Sequence, residues 1–250
     1  EKHKRLRHFG SRPLYCSLFT FTHKSFQLMT FSLFGTTARG LIFDMDGTMV
    51  DNMMAHHRAW QRQLQKMGLE MTLEEVRQQI HGVNEEILAR LFEGRFTAEE
   101  RRRYARAKEA EYREGFKDEL RLIDGLPEVL QQLHQAGLPM GIGTAAPAEN
   151  VDFVLDALQL RPYFGAVRHA GDVKKGKPDP EIFQLVAEGI GLPVEACIIF
   201  EDSPTGAEAA ARAGSPLVVV TTTHKAEEFG HLPNVIQFIS DYKGLPINLG

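Results

Sequence analysis

Cysteines are scarce in this chain, and it has no apolar run long enough to cross a bilayer. Two cysteines, Cys16 and Cys197, stand far apart among 250 residues, and Cys197 lies inside the apolar run ACIIF. This pattern gives no disulfide framework and is typical of a reducing, intracellular compartment. The longest apolar candidate, residues 17–34, is interrupted by His23 and Lys24, so it does not predict a membrane-spanning helix. We therefore expect a cytoplasmic protein.

Acidic residues are nearly missing from the first 38 positions. This segment contains six Lys and Arg residues but only one acid, Glu1, and it is rich in Phe, Ser and Thr. A basic, hydroxyl-rich and acid-poor composition is typical of a transit peptide for import into an organelle. The alternative is upstream sequence with the functional start near Met29, because the segment shows no sustained amphipathic period. In either case we predict that residues 1–38 are a disordered or non-native extension outside the fold.

The rest of the chain is moderately acidic. Without the extension it carries 23 basic and 32 acidic side chains, a net charge of −9. This balance argues against binding to nucleic acid or to an anionic membrane surface. With 43% apolar residues the chain can bury a sizeable core, either as one large domain or as a domain with an insertion. We expect a monomer.

From residue 39 onward, apolar runs alternate with amphipathic helical patterns. This alternation is typical of a parallel sheet covered by helices, and it predicts a doubly wound α/β fold. Amphipathic helices are predicted at 127–137 and 150–160. Strands are predicted at 40–45, 139–144, 165–169, 196–201, 216–221 and, as an edge strand, 234–239.

The interval after the first strand is too long for a simple crossover. Residues 53–123 contain no convincing strand and have the pattern of successive helices. Thr72 and Thr97 are each followed three positions later by Glu, which is the signature of a capping box at a helix start. We therefore predict a helical cap subdomain at 53–123, inserted into an α/β core of residues 39–52 and 124–250.

The candidate functional residues come at the carboxyl ends of predicted strands, where open parallel sheets bind their ligands. Asp44 and Asp46 end the first strand, Thr144 the second, and Glu201 and Asp202 the fourth. Side chains at i and i+2 of an extended segment point to the same side, so the first two carboxylates lie together. They ionise together only if a positive group neutralises them. Mg²⁺, which prefers carboxylate and carbonyl oxygens, fits such a cluster.

A phosphoryl group suits the rest of the predicted crevice. Thr144 offers a hydroxyl with backbone N–H groups after it, and Lys177, held by prolines in KKGKPDPEIF, offers a positive side chain. Phosphoryl transfer needs neutralisation of the phosphate charge and in-line placement of the attacking and leaving oxygens. One aspartate can then be the nucleophile through an aspartyl-phosphate, and the other can move the proton.

Four motifs together resemble those of the haloacid dehalogenase superfamily of phosphotransferases. They fall in the family's order over residues 39–223 and on the expected elements. The motifs are DxDGT at Asp44, Asp46, Gly47 and Thr48, the strand-end hydroxyl of Thr144, the lysine before Pro-x-Pro at Lys177, and the acidic pair Glu201 and Asp202.

The resemblance implies a role for each of these residues. Asp44 would be nucleophile and metal ligand, and Asp46 the acid and base whose backbone carbonyl binds the metal. Asp202 would be a further Mg²⁺ ligand, with Glu201 bound to the ion or next to it. The phosphate contacts implied by the resemblance are Gly47, Thr144, Ala145 and Lys177. Members that cleave carbon–halogen or carbon–phosphorus bonds lack the residue equivalent to Asp46, so its presence indicates phosphate esters.

The predicted cap resembles that of the β-phosphoglucomutase-like branch. His56 stands where that branch has a hinge histidine, and Lys108 where the mutase has a cap lysine. In HGVNEEI (81–87), however, Glu85 replaces the mutase arginine that binds the second phosphate of the sugar. A carboxylate would repel that phosphate, so the departure favours hydrolysis of a monophosphate.

The leading hypothesis is therefore a Mg²⁺-dependent phosphatase that acts on a small phosphorylated metabolite such as a sugar phosphate. The alternative is a β-phosphoglucomutase-like isomerase that uses the same phosphoenzyme. A more remote alternative is a non-catalytic switch that keeps a phospho-acceptor aspartate on a similar doubly wound sheet. Such a switch would need neither a cap nor Asp46.

Overall fold

The computed structural model describes residues 30–80 and 82–249, so Cys16 and the proposed transit segment up to residue 29 lie outside the described residues. The described strands are β1 (Phe31–Leu33), β2 (Thr36–Ala38), β3 (Gly40–Phe43), β4 (Met140–Gly143), β5 (Ala166–Arg168), β6 (Cys197–Glu201), β7 (Leu217–Val220), β8 (Val235–Ile239) and β9 (Ile247–Leu249). The described helices are α1 (Met53–Lys66), α2 (Leu73–Gln79), α3 (Asn84–Leu91), α4 (Ala98–Phe116), α5 (Leu126–Gln135), α6 (Ala148–Ala157), α7 (Glu181–Gly189) and α8 (Pro204–Ala213). None of these helices combines the length and the apolar character that a bilayer span requires.

The main sheet is parallel and has the strand order β5-β4-β3-β6-β7-β8. The chain runs from β3 to β4 and β5 on one side and then returns to β6 on the other side of β3. This reversal opens a crevice at the carboxyl ends of the central strands, where sheets of this kind bind their ligands. The predicted doubly wound α/β class is confirmed, and the predicted edge strand is β8.

Helices cover both faces of this sheet. Side chains of α5 and α6 belong to the same buried cluster as Phe43, whereas side chains of α7 and α8 belong to the cluster of Ile42. Neighbouring residues of a strand point to opposite faces, so Ile42 and Phe43 mark the two layers. Burial on both faces explains why the central strands are apolar up to their carboxyl ends, where Glu201 ends β6, instead of alternating.

The helices α1 to α4 form a cap between β3 and α5 with a small core of its own. Both predicted capping boxes are present, from Thr72 to Glu75 at α2 and from Thr97 to Glu100 at α4. Each box satisfies backbone donors at the helix start that would otherwise lack a partner. The buried side chains of the cap core include Trp60, Leu64, Val76, Ile87 and Leu88.

The prediction that residues 1–38 lie outside the fold is wrong for residues 31–38. Strand β1 pairs antiparallel with β2 and with the C-terminal strand β9. Phe31, Leu33 and Ala38 are at most 3% exposed and belong to the same buried cluster as Phe43. These side chains remove apolar surface from water, so the hairpin is part of the core domain.

Candidate active site

The turn after β3 carries the two aspartates. Asp44 extends the strand by one residue, because its backbone N–H donates to the Phe200 carbonyl of β6 (3.0 Å). The chain then turns at Gly47, whose φ of +79° is unfavourable for residues with a side chain. A Cβ at this position would also collide with the Asp202 carboxylate. Glycine is therefore required both by the turn and by the close packing of Asp202.

A first group of side chains, the acidic cluster, consists of Asp44, Lys177, Glu201 and Asp202. The three carboxylates are buried, and one oxygen from each lies within 4.8 Å of the others. Lys177 Nζ donates to Asp44 Oδ1 (2.6 Å) and to Glu201 Oε1 (2.8 Å). One ammonium group offsets only one of the three negative charges. The donor set therefore fits a divalent cation that prefers oxygen ligands.

Burial controls protonation in the acidic cluster. It raises the pKa of Asp44 to about 7, although the Lys177 ammonium opposes this shift. Burial and the Glu201 carboxylate raise the pKa of Asp202 well above its usual value. Burial also disfavours the charge of Lys177, but Asp44 and Glu201 outweigh this effect and raise the lysine pKa. The lysine thus stays charged, while the aspartates hold protons that a metal ion would displace.

Hydroxyl and amide donors fix the two acids at the carboxyl end of β6. Ser203, the N-cap of α8, donates to Glu201 Oε2 from its backbone N–H (2.6 Å) and from its hydroxyl (3.0 Å). Asp202 accepts hydrogen bonds from the hydroxyl of Thr48 (3.2 Å) and from the side chain of Thr223. Sequence reasoning missed Ser203 and Thr223 as partners. The N-cap position signals Ser203, whereas no local motif signals Thr223, which follows a different strand.

A second group, the cap cluster, consists of Asp46, Asn52, His56 and Lys108. Asn52 Nδ2 donates to Asp46 Oδ1 (2.6 Å) and to the hydroxyl of Tyr112 on α4 (2.6 Å). His56 Nε2 lies 3.8 Å from Asp46 Oδ2. Burial raises the pKa of Asp46 to about 6, and the hydrogen bond from Asn52 opposes this shift. The Asp46 carboxylate thus lies among side chains at the start of the cap, and its hydrogen-bond partner is not in the acidic cluster.

Lys108 and His56 meet beside Asp46. Lys108 is 2% exposed, and its Nζ lies 2.8 Å from His56 Nδ1. The histidine ring stacks on Tyr112 with 3.7 Å between the ring centroids. Burial and the Lys108 charge lower the pKa of His56 well below its usual value, so the ring is neutral. A neutral ring that accepts from Lys108 at Nδ1 carries its proton on Nε2, the atom that faces Asp46.

Thr144 and Ala145 occupy the turn after β4, the strand next to β3. The Thr144 backbone N–H donates to the Arg168 carbonyl (3.0 Å), and its hydroxyl accepts from the N–H of Ala146 (3.1 Å). Ala145 is exposed at the same edge of the sheet. Glu85 lies in the first turn of α3, in the cap. The residues predicted from the sequence thus fall into the acidic cluster, the cap cluster and this separate turn.

Known proteins identify the family of the chain. The model of the haloacid dehalogenase-like hydrolases matches residues 38–214. A fructose-1-phosphate phosphatase of Escherichia coli is 33% identical over 181 residues, which cover 72% of this chain and 95% of that protein. A phosphorylated carbohydrates phosphatase of Thermotoga maritima is 32% identical over 175 residues, which cover 70% of this chain and 81% of that protein.

A solved structure from the branch predicted for the cap also matches. The β-phosphoglucomutase of Clostridium difficile has a TM-score of 0.69 at 26% identity, covering 81% of this chain and 91% of that one. The family expected from the sequence motifs is therefore confirmed. The chain belongs to the haloacid dehalogenase-like hydrolases.

Proposed function

We propose that this hydrolase is a Mg²⁺-dependent phosphatase that cleaves the phosphate monoester of a small metabolite, such as a sugar phosphate, through an aspartyl-phosphate on Asp44. The observation that carries the proposal is that two neighbouring carboxylates, the buried Asp44 and the half-buried Asp46, have separate partners. Asp44 pairs with Lys177, whereas Asp46, two residues on, accepts from Asn52. Neighbouring acids with different surroundings suit different tasks. In this proposal Asp44 is the nucleophile and Asp46 moves the proton.

The reaction takes two steps. In the first, a carboxylate oxygen of Asp44 attacks the phosphorus, and the ester P–O bond on the opposite side breaks. Asp46 gives its proton to the departing oxygen, so the metabolite leaves as an alcohol. In the second step Asp46 takes a proton from water, the water oxygen attacks the same phosphorus, and the bond between the phosphorus and the Asp44 oxygen breaks. Inorganic phosphate leaves, Asp44 is again a carboxylate, and Asp46 is again protonated.

The surroundings of Asp46 support its role in proton transfer. The Asn52 amide occupies Oδ1, which leaves Oδ2 to carry the proton. Side chains of the cap partly cover this carboxylate, and its pKa of about 6 lies close to neutral pH. A carboxyl group with such a pKa can both give and take a proton at physiological pH.

The acidic cluster would hold the Mg²⁺ ion. Asp44, Glu201 and Asp202 supply carboxylate oxygens, and the backbone carbonyl of Asp46 is the further ligand that the family resemblance implies. The raised pKa values of Asp44 and Asp202 are consistent with this assignment, because burial, which Lys177 only partly offsets, makes their negative charges costly unless a cation is present. When bound, the ion neutralises the phosphate oxygens and reduces their repulsion from the nucleophile.

The phosphate group would be held by residues from the turns after β3 and β4 and from the segment between β5 and α7. Lys177 offers its ammonium group, and Thr144 and Ala145 offer the turn after β4. The N–H of Gly47 already donates to the Val50 carbonyl (2.8 Å), so it is not free to bind phosphate. Because Gly47 has no side chain, its backbone would instead allow the phosphate to come close.

The relatives support a phosphorylated carbohydrate as the substrate class. Two phosphatases at 32% and 33% identity have names that refer to phosphorylated carbohydrates or fructose 1-phosphate. A cap over the crevice suits such small substrates, because its closure excludes water while the phosphoenzyme forms.

The isomerase alternative has one specific observation in its favour, the structural likeness to β-phosphoglucomutase. Glu85 argues against it, because a carboxylate near a second phosphate repels that group. The test is incubation with β-glucose 1-phosphate and a trace of the bisphosphate. If glucose 6-phosphate appears faster than free phosphate, the chain is a mutase and the preference for hydrolysis is wrong.

A panel of phosphorylated metabolites tests the proposed function. We expect release of phosphate from at least one sugar monophosphate with Mg²⁺ and no release when the ion is removed by a chelator. Asp44→Asn is the negative control, because it removes the nucleophile without changing the size of the side chain. Turnover by that variant at the wild-type rate, or no turnover of any ester by the wild type, would overturn the proposal.

A further inference from the structure

Glu109 is a buried acid of the cap that the proposed reaction does not use. It follows Lys108 on α4 and is 8% exposed. Its Oε1 accepts from Lys108 Nζ (2.9 Å) and from Asn84 Nδ2 (2.6 Å), and its Oε2 accepts from Asn150 Nδ2 (2.7 Å). Three hydrogen bonds therefore converge on one carboxylate. A buried acid needs such hydrogen bonds in order to stay charged.

The carboxylate is ionised. Burial alone would raise the pKa of Glu109, but the Lys108 ammonium and the hydrogen bonds that the carboxylate accepts lower it to about 2. Burial lowers the pKa of Lys108, and the negative charge of Glu109 opposes this effect. Glu109 thus stabilises the ammonium form of the lysine that donates to His56.

The partners of Glu109 come from different parts of the molecule. Asn84 is the first residue of α3 in the cap, whereas Asn150 lies on α6 of the core. The side chain of Asn150 is held in one orientation. Arg113 Nη1 donates to its Oδ1 (2.7 Å), so its amide nitrogen faces Glu109. The Glu109–Asn150 hydrogen bond therefore joins cap and core and has to break when the two separate.

We infer that Glu109 is a positioning residue that holds the cap closed on the core and, in the same contact, holds Lys108 against His56 beside Asp46. Closure of the cap and placement of the lysine are then coupled through one carboxylate. The kinetic consequences rest on the proposed phosphatase function, whereas the closure itself does not.

Two variants separate the halves of this contact. Asn150→Ala removes the bond from Asn150 to Glu109, and with it the bond from Arg113 of α4 to Asn150, but leaves the Glu109 charge beside Lys108. Glu109→Gln keeps the size of the side chain but removes the charge beside Lys108 and turns an amide donor toward the Asn150 amide. For both, we expect kcat/KM for p-nitrophenyl phosphate with Mg²⁺ to fall about tenfold, since each loses a buried hydrogen bond of the closed state.

The matched control is Glu111→Gln on the same helix. The partners of Glu111 are Arg62 and Lys66 on the outer side of the cap. The kcat/KM of this variant should stay within about twofold of wild type.

A double variant distinguishes positioning from loss of stability. In Glu109→Gln with Asn150→Asp, the glutamine amide can donate to the new carboxylate on α6, which also faces Arg113. The bond between cap and core is restored, but Lys108 still lacks its anion. We expect the double variant to close like the wild type and to keep a lowered kcat. If it recovers neither closure nor activity, Glu109 does not act through Asn150.

Hydrogen exchange of the full chain measures closure without any substrate. In Asn150→Ala and Glu109→Gln we expect amide exchange over residues 82–91 to be about tenfold faster than in wild type, with protection restored in the double variant and unchanged in Glu111→Gln. Equal exchange in the wild type and both single variants would overturn the inference. A wild type that cleaves no phosphate ester yet shows this exchange pattern would instead overturn only the proposed function.

Discussion

Asp44 and Asp46 are separated by one residue, yet their side chains have different partners. Asp44 pairs with Lys177 from the core, next to Glu201 and Asp202, whereas Asp46 accepts from Asn52 at the base of the cap. The carboxylates of the acidic cluster come from the ends of β3 and β6, two neighbouring strands of the packed sheet. The cap cluster is completed by side chains of α1 and α4, which belong to the cap. Under the proposed function, the metal and the nucleophile belong to the sheet, whereas the proton carrier depends on how the cap is placed on the core.

Replacing the nucleophile should have the largest effect. Asp44→Asn is expected to lower kcat by about 10⁴-fold or more, because an amide oxygen cannot form the aspartyl-phosphate at a useful rate. Phosphate release under saturating substrate measures this effect. A loss of less than about tenfold with intact folding would contradict the assignment of the nucleophile to the acidic cluster.

Replacing the proton carrier should have a smaller effect. Asp46→Asn is expected to lower kcat by about 10² to 10³-fold, since general acid and base catalysis contributes that much in enzymes. The loss should shrink for esters with good leaving groups such as p-nitrophenyl phosphate, which need little protonation. If the loss is the same for alkyl and aryl esters, Asp46 does not protonate the leaving group.

The two buried lysines should differ in their effect on stability. Lys177 is favoured as a cation by Asp44 and Glu201, whereas burial lowers the pKa of Lys108. Lys177→Met leaves buried carboxylates without their counter-ion, so we expect the free energy of unfolding of the metal-free protein to fall by about 3 kcal/mol.

Lys108→Met should cost less stability, about 1 kcal/mol, because it removes a charge that is itself expensive to bury. Denaturant unfolding of both variants in the presence of a chelator measures the difference. Equal losses would show that the two clusters do not differ in electrostatic character.

The acidic cluster should also make the metal-free protein sensitive to pH. Burial raises the pKa of Asp44 from 3.8 to about 7, so between these values the folded state binds more protons than the unfolded state. Stability should therefore fall as the pH rises through this range, by up to about 1.4 kcal/mol per pH unit for each proton. Mg²⁺ should flatten the fall, because the ion replaces the protons.

Thermal melts between about pH 5 and pH 7.5, with chelator or with Mg²⁺, test this expectation. Asp202→Asn serves as the control variant, because it removes one carboxylate and should weaken both the pH dependence and the shift caused by Mg²⁺. A melting temperature that rises with pH in the metal-free wild type would contradict the account.

Local patterns made much of the fold predictable from the sequence. Strands such as β3 and β6 are buried on both faces, and their residues are apolar apart from Glu201 at the end of β6. The capping boxes at Thr72 and Thr97 mark helix starts through bonds three residues apart. The fold class was predicted correctly for this reason, and the family was predicted from its four motifs. The N-terminal hairpin was missed because its strands have three residues each and one of them pairs with β9, some 215 residues away along the chain.

The sequence predicted which residues form the candidate site, but not which side chains they contact. The motifs named Asp44, Asp46, Lys177, Glu201 and Asp202, since each follows or precedes a recognisable strand or turn. They could not show that Asp44 and Asp46 have separate partners, because that separation depends on the turn at Gly47 and on side chains from α1 and α4.

Some expectations concern properties that a single folded chain does not display. The monomeric state, the cytoplasmic location and the lack of nucleic-acid and membrane binding stay predictions from composition and charge.

Chemical trapping of the phosphoenzyme tests the division between the two aspartates most directly. Asp46→Asn, which should form the aspartyl-phosphate but hydrolyse it slowly, is incubated with Mg²⁺ and a substrate ester and then reduced with borohydride. Peptide mass spectrometry locates the reduced residue. The account predicts conversion at position 44 in this variant and none in Asp44→Asn. Conversion at any other residue, or turnover without conversion at position 44, would contradict it.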